Sequence, residues 1–326
     1  MKYNISIIKV KERCVYAKHL GDELMVDVII IGAGPAGLSA CLYASRAKLE
    51  TIIIDPFYGG QLMNTETIDN YLGLPNQNAI ELADIMYEHA LGFGAEHVMA
   101  TVEDVKYSNN TYEVITTKGE SYFRKTLIVA TGTTHNKLLP EIDDSDLPIS
   151  YCAVCDAPFY QDKKVTVVGS GDSALEATAL LSDIASEVSL LIRSEHFKGK
   201  PESVDLIARK PNVRVRNLCE VIDMTPMDDG KIKLAILNKD SNEVSDEVVE
   251  GLFPNIGSVT NIGFMQNIFS NLKDWQHYDL RFNNNVSNMG LYLAGDVIPR
   301  FNRQVAIAFG EGADMALKSY NFLLDK

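Results

Sequence analysis

One unit occurs twice in this chain: a short β-branched strand, a glycine-rich turn, a helix and a second strand. In the first copy, residues 25–31 read Met-Val-Asp-Val-Ile-Ile-Ile and run into Gly32-Ala33-Gly34-Pro35-Ala36-Gly37. A nearly continuous apolar run of this length predicts a strand buried on both faces. Helical spacing then predicts a helix over Leu38–Lys48, and Glu50–Asp55 a second strand. Gly32 allows the tight turn, Gly34 lets backbone approach a pyrophosphate, and Gly37 permits close helix–strand packing. The free N–H groups of the helix start, behind Pro35 and Ala36, favour phosphate. Asp55, eighteen residues after Gly37, is placed to accept ribose hydroxyls.

The second copy starts at Lys163–Val168, turns through Gly169-Ser170-Gly171-Asp172-Ser173-Ala174, and predicts a helix over Leu175–Ile184 and a strand over Glu187–Arg193. Two units imply two nucleotides and an α/β fold of two Rossmann-like domains. Where the first copy ends in an acid, the second ends in Arg193, with Lys198 close behind. A cation there suits a 2′-phosphate, hence NADPH. From Arg193 to Arg216 seven cations and three acids give a local charge of +4. A solvated face, a dinucleotide phosphate site and a docking patch for an acidic protein all fit that excess.

The whole chain has 326 residues and a net charge of −14, which disfavours a polyanion as main partner, so no nucleic-acid role is expected. No apolar run is long enough to span a bilayer and no signal-type core opens the sequence, so no membrane role is expected and the location is read as cytoplasmic.

Cys152 and Cys155 form a CxxC between the two units, followed directly by Asp156. A zinc site lacks its other ligands, an iron–sulfur cluster lacks further cysteines, and a structural disulfide suits a reducing cytosol poorly. A redox-active dithiol fits best: one thiolate attacks, the other resolves, and Asp156 can protonate a leaving sulfur. Asp156 also suits a helix start. Cys41 and Cys219 read as packing residues, Cys14 has no evident partner, and no metal is expected.

These motifs, with Gly59-Gly60-Gln61-Leu62, Asp69-Asn70-Tyr71, Ala130-Thr131-Gly132, Ala294-Gly295-Asp296-Val297 and Arg303-Gln304-Val305, resemble the low-molecular-weight thioredoxin reductases from about residue 25 onward. The resemblance implies a homodimeric flavoprotein that moves electrons from NADPH through FAD and the CxxC to thioredoxin or a thioredoxin-like protein. It implies FAD contacts at Gly60, Gln61, Asn70, Val102, Thr131, Gly132, Gly295, Asp296, Arg303, Gln304 and Val305, besides the first turn and Asp55. A helix starting at Val305 would aim its positive end at the flavin. The second domain is expected to be inserted in the first: an extension over 1–24, FAD-binding segments over 25–147 and 252–326, and a nicotinamide-type domain over 148–251. The resemblance also implies a rotation of one domain on the other, with crossings near 148 and 251 as the hinge.

The family's 2′-phosphate motif, His-Arg-Arg-x-x-x-Arg, reads Ile192-Arg193-Ser194-Glu195-His196-Phe197-Lys198 here. A lysine cannot make the bidentate fork of arginine, and Glu195 adds repulsion. Ferredoxin, docked on the basic stretch, is therefore a second candidate donor. A non-enzymatic FAD-binding redox sensor is a further alternative. Pro254 stands where the family continues a strand, and Lys9, Lys11 and Arg13 could touch a partner.

Overall fold

The computed structural model describes residues 26–65, 67–143, 147–269, 289–298 and 302–325. The extension over 1–24, with Cys14 and its basic residues, lies outside them.

The first unit forms as β1 (Val26–Ile31), α1 (Pro35–Arg46) and β2 (Thr51–Ile54). Helix α1 starts three residues earlier than expected, because Pro35 takes the first helical position, where no N–H is missed. The chain continues through α2 (Ala79–Leu91), β3 (Glu96–Val98), the meander β4 (Val102–Ser108), β5 (Thr111–Thr116) and β6 (Ser121–Val129), and then β7 (Thr133–His135).

The short helix α3 (Ala153–Asp156) opens the second unit: β8 (Lys164–Val168), α4 (Asp172–Ser182), β9 (Glu187–Ile192), α5 (Pro201–Ala208) and β10 (Val213–Asn217). Strands β11 (Cys219–Pro226), β12 (Ile232–Asn238) and β13 (Glu243–Val249) form an antiparallel sheet. They are followed by β14 (Gly251–Pro254), β15 (Ser258–Thr260), β16 (Leu291–Leu293) and the long helix α6 (Val305–Leu324).

Counted over the described residues, the first sheet has seven strands in the order β3-β2-β1-β6-β5-β4, with β16 beside β6. Strand β6 shares one edge between two partners: its first half pairs with β5, and Leu127–Val129 pair in parallel with Leu291–Leu293. The chain returns from the second sheet to complete the first, so one Rossmann-like domain is inserted in the other. Val28 and Ile30 face α1, α2 and α6, while Ile29 and Ile31 face the opposite core with Tyr112 and Val114. Burial on both faces explains the unbroken apolar run, each full burial being worth roughly 1.5–3 kcal/mol.

The second sheet is wholly parallel, in the order β10-β9-β8-β14. Pro254 closes β14, an edge strand where a missing N–H costs little, and Ile149 bridges Leu252 beside it. Both residues therefore sit in the second sheet, whereas the expected segment boundary placed 252 in the first domain. Between the sheets the chain passes twice through an antiparallel ribbon, Thr133–His135 against Ser258–Thr260.

Candidate functional site

The first turn is shaped by contact distances. Gly32 has φ +105°, and a Cβ there would lie 2.4 Å from the Ala130 carbonyl oxygen. A Cβ on Gly37 would lie 1.7 Å from the Gly32 oxygen. Both glycines are therefore demanded by packing. Gly34 differs, since only Gly60 Cα stands near, at 3.6 Å, and Gly34, Pro35 and Ala36 open onto a cleft of about 1450 Å³. Asp55 Oδ2 accepts the Ala33 N–H at 2.7 Å and Oδ1 accepts the Phe57 N–H at 3.1 Å, which fixes the carboxylate at the cleft wall. Burial raises its pKa, and those two N–H groups oppose the rise.

The same cleft holds the sulfurs. Cys152 and Cys155 are joined as a disulfide with Cα atoms 5.3 Å apart. Cys152 caps α3, and its Sγ accepts the Cys155 N–H at 3.2 Å. Asp156 ends α3, half-buried, and Ser150 Oγ donates to its Oδ2 at 2.6 Å. Burial pushes the Asp156 carboxyl above its ordinary range, against the Ser150 hydrogen bond.

Around the disulfide the first domain supplies a ring of polar groups. Gln304, at the start of α6, brings Nε2 to 3.9 Å from Cys155 Sγ and 4.0 Å from Cys152 Sγ. Asn70 Nδ2 donates to Gln304 Oε1 at 3.0 Å, and Gln61 Nε2 to the Thr133 carbonyl at 2.7 Å. Arg303 Nη1 donates to Ser258 Oγ at 2.6 Å, and Thr131 and Asn261 exchange two hydrogen bonds across the ribbon. The His135 ring stacks on Tyr151, with its pKa lowered by burial and then by Arg303. Gly132, Gly295, Asp296 and Val305 line the same space.

The residues present fit FAD. Gly34 and Gly132 leave room that a side chain would fill, and the helix start offers free N–H groups to phosphate. Thr133 Oγ1 and Arg303 Nε, on residues that line the cleft, are buried without a hydrogen-bond partner among the described residues, and a polar ring would satisfy them.

At the second turn, Gly169 packs under the Asn255 carbonyl, while among the described residues nothing stands within 4 Å of a Cβ on Gly171. Ala174 is fully buried below the turn. The loop after β9 folds back on this turn: Ser170 O accepts the Lys198 and Gly199 N–H groups, and Asp172 Oδ1 accepts the Lys200 N–H at 2.7 Å. Ser173, Arg193 and Lys198 line the cleft, and among the described residues no ion pair engages either cation.

The structure thus brings the first turn, Asp55, the disulfide, Asp156 and the second turn to one cleft. It does not bring Val102 there. That side chain starts β4, opposite Thr116, and is buried in the sheet core. The basic stretch is also less free than its sequence reads, because Lys210 pairs with Asp183, Arg214 with Glu187 and Arg216 with Glu247. Ser150, Thr133, His135 and Asn261 carry no local sequence signal and were missed. So was Glu311, whose Oε2 accepts the Gly295 N–H at 2.9 Å.

Residues 26–312 match the family described as "Pyridine nucleotide-disulphide oxidoreductase". The chain is 32% identical to the thioredoxin reductase of Ureaplasma parvum over 310 residues, 93% of this chain and 98% of that one. Among solved structures it is similar to the thioredoxin reductase of Streptococcus pyogenes, with 30% identity, 94% and 100% of the two chains covered and a TM-score of 0.82. It is also similar to that of Lactococcus lactis in its FR conformation, with 28% identity, 92% and 100% covered and a TM-score of 0.60. The fold, the paired turns and the disulfide define a flavoprotein oxidoreductase, with FAD as its cofactor and NADPH as the usual second one. The chain belongs to the pyridine nucleotide-disulphide oxidoreductases, and within them to the low-molecular-weight thioredoxin reductase class. Among the described residues no helix is long and apolar enough to cross a membrane.

Proposed function

We propose that this protein reduces the disulfide of thioredoxin or a thioredoxin-like protein in the cytoplasm, as a homodimer, with NADPH as donor. The observation that carries this reading is the Cys152–Cys155 disulfide, with Asp156 beside it, in the cleft shared by both glycine-rich turns. When bound, FAD supplies the two-electron relay between the donor and this disulfide. Gly34, Asp55, Asn70, Gln61, Asp296 and Gln304 are the residues that would hold it.

With the pair reduced, the Cys155 N–H beside its sulfur favours Cys152 as the attacking thiolate. Cys152 forms a mixed disulfide with the substrate and expels one substrate thiolate, which Asp156 protonates. Cys155 then gives its proton to the Asp156 carboxylate and attacks the Cys152 sulfur, re-forming the disulfide, and Asp156 passes that proton to the second substrate thiolate as it leaves. Two electrons and two protons leave with the reduced substrate.

We place the hinge for domain rotation at the β7–β15 ribbon. The Lactococcus and Streptococcus enzymes match with similar identity and coverage but different TM-scores, which supports one pair of domains in more than one relative orientation. The open space at Gly171 favours NADPH, as do Arg193 and Lys198 on the cleft wall, which have no ion pair among the described residues. The ion pairs along the basic stretch count against a ferredoxin dock.

Anaerobic mixing of the FAD-loaded protein with NADPH, NADH or reduced ferredoxin tests the donor. Bleaching of the flavin by NADPH is expected, and bleaching by ferredoxin alone would reverse the assignment. For the substrate, Cys155→Ser is expected to trap a covalent adduct with thioredoxin. If neither single Cys→Ser variant traps a protein, the substrate assignment fails.

A further inference from the structure

Ser150 is 5% exposed and lies two residues before the first catalytic sulfur. Its backbone is pinned to the second sheet, where the Ser150 N–H donates to the Leu252 carbonyl at 2.9 Å. Its hydroxyl makes two directed hydrogen bonds. It donates to Asp156 Oδ2 at 2.6 Å and accepts the Cys152 N–H at 3.2 Å. A hydroxyl carries one proton, so with the Cys152 N–H filling a lone pair, that proton is committed to the carboxyl. Oδ2 is therefore occupied, and Oδ1 is the oxygen left to exchange a proton with sulfur.

We propose that Ser150 is a positioning residue for proton transfer, tying the Asp156 carboxyl to the backbone of Cys152 so that acid and attacking sulfur move as one body. The inference rests on the reading of Asp156 as the general acid. It assigns a role to a buried hydroxyl at the cleft wall, acting through Asp156. Rotation of the whole domain leaves the linkage intact, because Ser150, Cys152 and Asp156 all lie on the second-domain side of the ribbon.

The hydroxyl also opposes the burial that raises the Asp156 pKa. Among the described residues, the titratable groups on the elements packed against α3 are Tyr160 on the following turn, the two thiols when reduced, and Asp172 and Glu176 of α4, both of which line the same cleft.

The test uses the FAD-loaded protein, reduced with dithionite and mixed with 2-hydroxyethyl disulfide, an alkyl disulfide whose leaving thiolate needs a proton. First-turnover rates are followed across about pH 5 to 9 for wild type, Ser150→Ala, Ser150→Thr, Asp156→Asn and the double variant Ser150→Ala/Asp156→Asn. Ser150→Ala is expected to slow the turnover about tenfold and to move the limb on which Asp156 loses its proton to higher pH. Ser150→Thr, which keeps the hydroxyl, is expected to retain the wild-type limb. In the Asp156→Asn background, Ser150→Ala is expected to add little.

An unmoved limb in Ser150→Ala, a limb displaced equally in Ser150→Thr, or full additivity in the double variant overturns the proposal. If Ser150→Ala does not fold, the Ser150→Thr profile decides it alone. If Asp156→Asn itself keeps the wild-type rate and profile, the general-acid reading falls and Ser150 falls with it.

Discussion

Gly312 lies mid-way along α6 and is buried against α1. A Cβ there would stand 2.0 Å from the Ala36 carbonyl oxygen, 2.9 Å from its carbon and 3.0 Å from the Ala40 nitrogen. Helix propensity alone favours Gly312→Ala by about 1 kcal/mol. The contacts oppose it, because every nearby atom is backbone and none can swing away. Overpacking of this kind costs about 1–3 kcal/mol, and a rigid neighbour places it at the upper end. The clash wins, with a net loss of about 2 kcal/mol. Gly310 is the control, since it is exposed on the same helix and, among the described residues, nothing lies within 4 Å of its Cβ. Gly310→Ala is expected to gain up to about 1 kcal/mol, so two chemically identical changes differ by about 3 kcal/mol with opposite signs. Thermal unfolding of the FAD-loaded protein reads this at roughly 2–4 °C per kcal/mol, with Gly310→Ala above wild type and Gly312→Ala below. Helix α6 begins at Gln304 and Val305, and α1 begins at the phosphate turn, so Gly312→Ala is also expected to loosen FAD. A Gly312→Ala protein as stable as wild type would refute the close α1–α6 contact.

Burial keeps Asp156 protonated to higher pH than an ordinary carboxyl, so its contribution is lost only as pH rises through that raised value. Asp156→Asn is expected to slow substrate turnover on the order of a hundredfold and to remove that limb, and an unchanged pH–rate profile would count against it. The Cys41 thiol is fully buried and its pKa is pushed up to about 12 by that burial. Iodoacetamide and peptide mass spectrometry of the native reduced protein should find Cys152 and Cys155 labelled and Cys41 intact; comparable labelling at Cys41 would contradict its packing. Glu247 accepts hydrogen bonds from Ser189 and Thr166 and pairs with the partly exposed Arg216. Glu247→Ala is expected to cost about 1–2 kcal/mol in urea unfolding, and no loss would show the network to be energetically idle.

What the sequence showed and what it concealed divide by range. Both strand–turn–helix–strand units were legible because their signals are local: apolar runs, glycine spacing and a nearby acid. The CxxC was legible for the same reason. The ribbon was not, because Thr133–His135 meet Ser258–Thr260 only through the insertion of a whole domain. Gln304 was read as a helix start, but its approach to sulfurs on Cys152 and Cys155 depends on how the two domains sit together. The basic stretch looked free because Asp183, Glu187 and Glu247, which neutralise three of its cations, belong to other elements. Val102 shows the limit of a resemblance, since the inward face of its strand start sends it into the core.

Strand β16 and helix α6 leave the ribosome after the inserted unit, yet they close the first sheet and cover α1. During synthesis the inserted unit, whose strands are all encoded between residues 164 and 254, has every partner it needs well before the outer unit does. The outer unit must wait, with β6 half unpaired, until β16 emerges. Order of birth and order of folding are therefore inverted for the two halves, and a nascent chain stalled before Leu291 would carry a finished inner domain inside an unfinished shell.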